Sequence, residues 1–391
     1  MTDAVIVTAI RTPIGRTGRG LAPLTLQEIG AQTIAAAIAR SGLDPHEIDD
    51  LIIGEVLQGG GCTARYIANV LGLPPDTPGG TVQRQCATGM MAVQEAAANI
   101  RSGMARVVIA GGIESMTRSP AIFAKSPVPF GHMTQFIPPS HPDTPDAPNM
   151  NMLITVGENT ANECGITREE SDHWSYHSNL RAAAAADDGR FAAEVIPMTV
   201  PVGRGETATF SVDEHPRRDT TLEKLAALPS LTGPNGTITA GNSSGIADGG
   251  AALVVVEREY AEAHGMEILA TVRSWASSGI EPARTGLAPI IAVPRALQLG
   301  GLDVSDVDLV EINEAFASMA VACSRKLGFS HDIVNVNGGA VGIGHPVAAS
   351  GARILVTLIH ELRRRGGGIG VGTLCAGGGM GSATVLEVHA P

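Results

Sequence analysis

The sequence predicts an α/β protein made of two similar halves, and three observations carry that expectation. Short apolar strands alternate with helical stretches, which implies a mainly parallel, helix-covered sheet. GLDPHEIDDLIIGE (42–55) aligns without gaps on GLDVSDVDLVEINE (301–314), matching at Gly, Leu, both Asp, the last Ile and the final Glu. A cysteine-led helix followed by RVVIAGG has its counterpart in GARILVTLIHELRRRG (351–366) followed by GVGTLCAGGG (370–379). Both matches lie about 260 residues apart, as two copies of one fold would give.

Each element follows in order. Ala4–Ile10 reads as a buried strand and RTPIGRTGRG as the loop after it. Leu26–Ser41 has helical apolar spacing and stops at Gly42. DDLIIGEV (49–56) is a second strand, and Ala64–Leu71 a short helix. A turn at Cys86 opens a helix through Ile100, followed by the strand Arg106–Ala110 and a turn at Gly111–Gly112. From Arg118 to about Met152 eight prolines interrupt all periodicity, which marks an excursion suited to a lid or a subunit contact. Residues 167–187 form one long helix, and regular texture resumes after Gly241.

Composition narrows the function. With 391 residues, the chain needs more than one simple core. Aromatics are only 3%, so the core rests on Ala, Val, Ile, Leu and Met. A net charge of −12 argues against a nucleic-acid or membrane partner, so an anionic ligand must be held by local cations and helix N-termini. Five scattered cysteines without a CxxC pair fit free thiols in a reducing compartment. No apolar run spans a membrane, the N-terminus enters a strand at once, and the closing residues HAP are no peroxisomal address, so the cytoplasm is expected.

Four groups beside glycines carry chemistry. Cys86 precedes Ala-Thr-Gly at a helix start, where the macrodipole and unpaired N–H groups are expected to lower a thiol pKa and receive an oxyanion. Asn313 opens NEAF at a strand end, His345 lies in GGAVGIGHP, and Cys375 lies in LCAGGGMG. Such a set suits thioester acyl transfer joined to carbon–carbon bond making or breaking. One thiolate holds the acyl group, His345 takes the thiol proton, and the second Cys moves a proton at a carbon beside a carbonyl. His173 and His177 are four apart on a helix but lack an HExxH or a third ligand, so no metal is expected. The glycines at 338–344 lack the context of a dinucleotide site.

These motifs, with AGGIESMT (110–117), TAGNSSGIADGGAAL (239–253), NVNGGAVGIGHP (335–346) and ASGAR (349–353), make the sequence resemble the thiolase family over essentially its whole length. The resemblance implies two duplicated βαβαβαββ halves packed as a five-layer α-β-α-β-α sandwich. The halves would be residues 1–117 with 243–265, and residues 266–391, with a loop domain at 118–242. It implies Cys86 as acylated nucleophile, His345 as its activator and an oxyanion donor, Asn313 as holder of a water in that oxyanion site, and Cys375 as general acid and base. A second oxyanion site would come from the backbone N–H groups of Cys86 and Gly377. Coenzyme A enters as substrate and no cofactor is implied; Arg217, Ser244 and Phe316 would contact the acyl-CoA. A homodimer or homotetramer is implied as well.

The sequence departs from the family at Ala87-Thr88-Gly89, where a methyl would tighten the acyl pocket, at Ala348, at LAP (287–289), and at MLITVGE (152–158), where acetoacetyl-CoA-specific members carry His-Met-Gly. Two rivals are a decarboxylating ketoacyl synthase, whose HGTGT-like segment is replaced here by NEAF and Cys375, and a non-catalytic scaffold, which would lack a catalytic group.

Overall fold

In a computed structural model, described for residues 2–150 and 152–391, ten strands form one continuous mixed sheet. In the first half β1 (Ala4–Arg11), β2 (Asp50–Gly54), β3 (Gly80–Val82), β4 (Val107–Ser115) and β5 (Ala247–Glu257) lie in the order β3-β2-β4-β5-β1. In the second, β6 (Ala270–Gly279), β7 (Leu309–Ile312), β8 (Gly368–Ala376) and β9 (Met380–Val388) lie in the order β7-β8-β9-β6. A short antiparallel pairing of Val5 with Thr271 and Ile6 with Ala270 joins the halves through β1 and β6. The tenth strand, Gly15–Arg16, pairs with the start of β5.

Helices complete five layers. On one outside α1 (Leu26–Ser41) and α2 (Thr63–Val70) bury Ile29, Ile34 and Ile67 against Val5, Ile53, Ile109 and Val254. Between the sheet halves, α3 (Thr88–Arg101) and α8 (Val347–Arg365) bury Val93, Ile100, Leu355 and Leu358 against Val108, Leu253, Leu374 and Leu386. On the other outside α6 (Pro289–Gly300) and α7 (Ala317–Leu327) pack Val293, Leu297 and Ala320 on Val310, Val371 and Val385. Between β4 and β5 come α4 (Met152–Cys164) and α5 (Arg168–Asp187), with no strand of the large sheet after Ser115 and before Ala247 among the described residues. No helix of the described residues is long and apolar enough to cross a membrane.

Local chemistry explains the clearest boundaries. The Thr25 hydroxyl accepts from the Glu28 N–H while Glu28 accepts from the Thr25 N–H, and Gly42 ends α1 at φ 69°. Thr167 and Glu170 make the same reciprocal cap on α5.

The structure corrects two expectations. The sheet is not mainly parallel: β3-β2-β4 and β7-β8 run parallel, while β4-β5, β5-β1, β1-β6, β6-β9 and β9-β8 are antiparallel. Each half ends in a strand that returns alongside its predecessor, and alternation of helix and strand says nothing about that last reversal. The second half repeats the βαβαβαββ order, with its counterpart of β3 shortened to one parallel bridge between Val310 and Val334. Gly111–Gly112 is no turn; β4 runs through both residues, paired with Ala252 and Ala251. A Cβ on Gly111 would lie 2.0 Å from the Ala251 carbonyl oxygen, and one on Gly112 2.0 Å from that of Ala348. The glycines allow backbone to touch backbone.

Candidate active site

The same device brings the two central helices together at their N-termini. A Cβ on Gly89 would lie 2.7 Å from the Ala348 carbonyl oxygen, and one on Gly351 2.5 Å from the Met90 nitrogen. The start of α3, just after Cys86, therefore abuts the start of α8, which follows His345. Glu114 of β4, fully buried, reaches across and accepts from the Ala348 N–H at 3.1 Å, supplying the cap that Pro346 lacks.

Cys86 is 3% exposed and follows Gln85, held at φ 48°. This left-handed turn is costly for a non-glycine residue and aims the thiol inward. The thiol is not activated at rest, contrary to the expectation from its helix start. Burial pushes its pKa up to about 11, and nearby Glu114 adds to the rise, although the N–H groups of Gly377 and Cys86 itself face the sulfur and pull it down. Desolvation of a thiolate outweighs the helix end.

His345 is buried and brought down to about 4, by desolvation first and by the Arg353 charge second. Its tautomer follows from counting protons. The Ser350 hydroxyl donates its one proton to the Pro346 carbonyl at 2.9 Å, so at 2.6 Å it accepts from His345 Nδ1–H. The Nε2 lone pair is left free to take a proton. Nε2 faces the Asn313 amide nitrogen at 3.5 Å, and the Asn313 Oδ1 is buried without a partner. Asn313 is held by its own N–H to the Thr373 carbonyl at 2.9 Å, one residue beyond β7.

Cys375, near the end of β8, is also 3% exposed. Its thiol donates to the Met319 sulfur at 3.7 Å and is held well above its ordinary pKa by burial and by the neighbouring Cys86. Cys375, from the second half, thus feels the charge of Cys86 from the first. Cys62 is exposed, Cys164 half-buried and Cys323 buried, and all five cysteines are free.

A cavity of about 560 Å³ opens on His345. Ser244 and Phe316 line it, with Met152, Leu153, Ile154 and Leu231 forming an apolar wall. The AGNSSG loop is tied to both motifs: the Ser244 N–H donates to the Ala315 carbonyl at 3.1 Å, and the His345 N–H to that of Gly245 at 2.9 Å. Arg217 is exposed and does not line the cavity. Ala87 is buried at the cap of α3 and also lies outside the lining, so its methyl does not narrow this space. Sequence reasoning missed Ser350, Met319 and Glu114 as participants; only for Ser350, in the first turn after His345, was there a local signal.

Comparison with known proteins agrees with this geometry. The family profile described as Thiolase, N-terminal domain matches residues 4–259, and Thiolase, C-terminal domain matches 266–388. The acetyl-CoA acetyltransferase of Escherichia coli K12 is 43% identical over 392 residues, covering 99% of both chains. A beta-ketoadipyl-CoA thiolase of Acinetobacter baylyi is 40% identical, covering 99% of this chain and all of its own. Among solved structures, the Bacillus anthracis acetyl-CoA acetyltransferase superposes with a TM-score of 0.91 at 37% identity, covering 99% of each chain. Human mitochondrial 3-ketoacyl-CoA thiolase gives 0.90 at 34%, covering 100% of this chain and 99% of its own. With both family domains matched in order and relatives aligned end to end, the chain belongs to the thiolase family.

Proposed function

We propose that the protein is an acyltransferase that cleaves 3-oxoacyl-CoA with CoA, and runs the reverse Claisen condensation, through an acyl group on Cys86. The observation that carries this reading is the burial of Cys86, Cys375 and His345 where the starts of α3 and α8 abut, with His345 Nδ1 held by Ser350 so that Nε2 is the acceptor.

As the Cys86 sulfur attacks the 3-oxo carbon, His345 Nε2 takes the thiol proton and then donates to the developing oxyanion, with a water held by Asn313. The bond between carbons 2 and 3 breaks, and its electron pair leaves as the enolate of acetyl-CoA. The N–H groups of Cys86 and Gly377 bind the thioester oxygen, and Cys375, a neutral thiol, protonates carbon 2. Its thiolate next takes the proton of the incoming CoA thiol, whose sulfur removes the acyl group. His345 returns the first proton to Cys86. Atoms and charge balance with CoA as co-substrate, so the scheme calls for no cofactor or metal.

Ser244 and Phe316 suit the pantetheine and acyl ends of the cavity, and exposed Arg217 suits the phosphate end. The proline-rich excursion exposes Phe123, Phe130, Phe136 and Ile137, which suits burial against a second copy in a homodimer or homotetramer. Free thiols suit a cytoplasmic enzyme.

The lining also addresses substrate range. The wall of Met152, Leu153, Ile154 and Leu231 gains about 0.8 kcal/mol for each methylene it buries. The lining contains no Lys or Arg, so an acyl chain ending in a carboxylate would find no ion-pair partner there. Thiolysis assayed with 3-oxoacyl-CoAs of about four to ten carbons tests the reading. Specificity constants for six to ten carbons are expected to be at least comparable to that for acetoacetyl-CoA (chain lengths roughly chosen on the apolar-wall argument). A preference for acetoacetyl-CoA above about tenfold contradicts the open wall, and no thiolysis of any member contradicts the function.

A further inference from the structure

We propose that Glu314 is a positioning residue that sets Asn313 against His345; this rests on the reading of Asn313 and His345 given above. Glu314 directly follows Asn313 and is 0% exposed. Its Oε1 accepts from Trp174 Nε1 at 2.9 Å and from Asn335 Nδ2 at 2.8 Å. Its Oε2 accepts from the Ser178 hydroxyl at 2.7 Å and from the Val341 N–H at 3.0 Å. The donors come from α5, from the residue that clamps β7, and from the stretch that ends at His345.

All four partners can only donate. Indole and backbone N–H groups have no acceptor to offer. The Ser178 oxygen already accepts from the N–H groups of Gly339 at 3.0 Å and Gly342 at 3.2 Å, so its proton goes to Glu314. The Asn335 Oδ1 accepts from the Ile312 N–H at 2.8 Å, which fixes its amide nitrogen toward Glu314. Both carboxyl oxygens are thus filled with incoming donors, two on each. Its seat is also shaped for it: a Cβ on Gly339 would lie 2.3 Å from the carboxyl carbon.

One carboxylate therefore pins the segment bearing Asn313 to the segment bearing His345, and both to α5. The 3.5 Å approach of Asn313 Nδ2 to His345 Nε2 is a consequence of that brace. Such spacing matters because a displacement of about 1 Å in a reacting constellation can cost about a hundredfold in rate.

The test is a set of variants measured for acetoacetyl-CoA thiolysis and thermal melting. Glu314→Gln keeps the shape but turns one acceptor into an NH2 aimed at two donors. Trp174→Phe keeps the ring and removes one donor, so it decides the matter where Glu314→Gln does not fold. We expect Glu314→Gln to lower kcat about a hundredfold and Trp174→Phe about threefold to tenfold, with KM changed less than about twofold. In an Asn313→Ala background, Trp174→Phe should cause no further loss. Full additivity there, or a rise in KM at constant kcat, overturns the positioning role while leaving Asn313 in place. An Asn313→Ala variant with unchanged kcat overturns the reading of Asn313 itself, and the proposal with it.

Discussion

Cys375→Ser should still accept an acyl group on Cys86 while losing carbon–carbon bond cleavage and formation by about a thousandfold or more. In the proposed scheme the acyl transfer to sulfur needs only Cys86 and His345. Protonating or deprotonating the carbon needs an acid that is neutral at rest yet able to give up its proton to an enolate. The buried Cys375 thiol, raised well above its usual pKa, is neutral at rest. A serine hydroxyl is a far weaker acid and cannot be regenerated from CoA by the same exchange. The readout is exchange of the acetyl-CoA α-protons with deuterated water, followed by magnetic resonance. Wild-type exchange in this variant would remove Cys375 from the proton-transfer step.

His345→Ala should lower kcat/KM by a comparable factor, about a thousandfold or more, because in the proposed scheme it deletes both the base and an oxyanion donor. The sign of the pH dependence separates these roles from a structural one. Burial brings His345 down to about 4, which leaves its imidazole neutral and able to act as the proposed base from about pH 5.5 upward. In the wild type kcat/KM should therefore show no acid limb between about pH 5.5 and 8, and fall only as pH drops toward the imidazole pKa. The thiol lies at about 11, so alkylation of Cys86 by iodoacetamide should keep rising with pH above 8, without a plateau near neutrality. A plateau at pH 6 to 7, roughly where an ordinary activated cysteine titrates, would mean a resting thiolate–imidazolium pair, which the burial of both groups argues against.

How much of this was legible in the sequence depends on how local each determinant is. The limits of α1 were readable because Thr25, Glu28 and Gly42 act on their own helix. The duplication was readable because both copies kept their segment order, and the structure places α3 and α8 side by side. The Gly111–Gly112 pair misled because its reason, the carbonyls of Ala251 and Ala348, lies in chain about 140 and 240 residues away. The resting state of Cys86 misled in the same way. A helix start is visible in sequence; the burial that overrides it is not. The hydrogen-bonded ring around Glu314 was out of reach because Trp174 and Ser178 belong to the inserted segment, and nothing in NEAF announces them.

The claim at the centre is that catalysis passes through an acyl group on Cys86. It is tested most directly by brief incubation of the protein with acetyl-CoA or acetoacetyl-CoA, acid quenching, digestion and mass spectrometry. The account predicts acetyl mass on the peptide carrying Cys86, retained in Cys375→Ser and absent in Cys86→Ala. Acetyl mass confined to Cys62, Cys164, Cys323 or Cys375, with the Cys86 peptide unmodified, would contradict it.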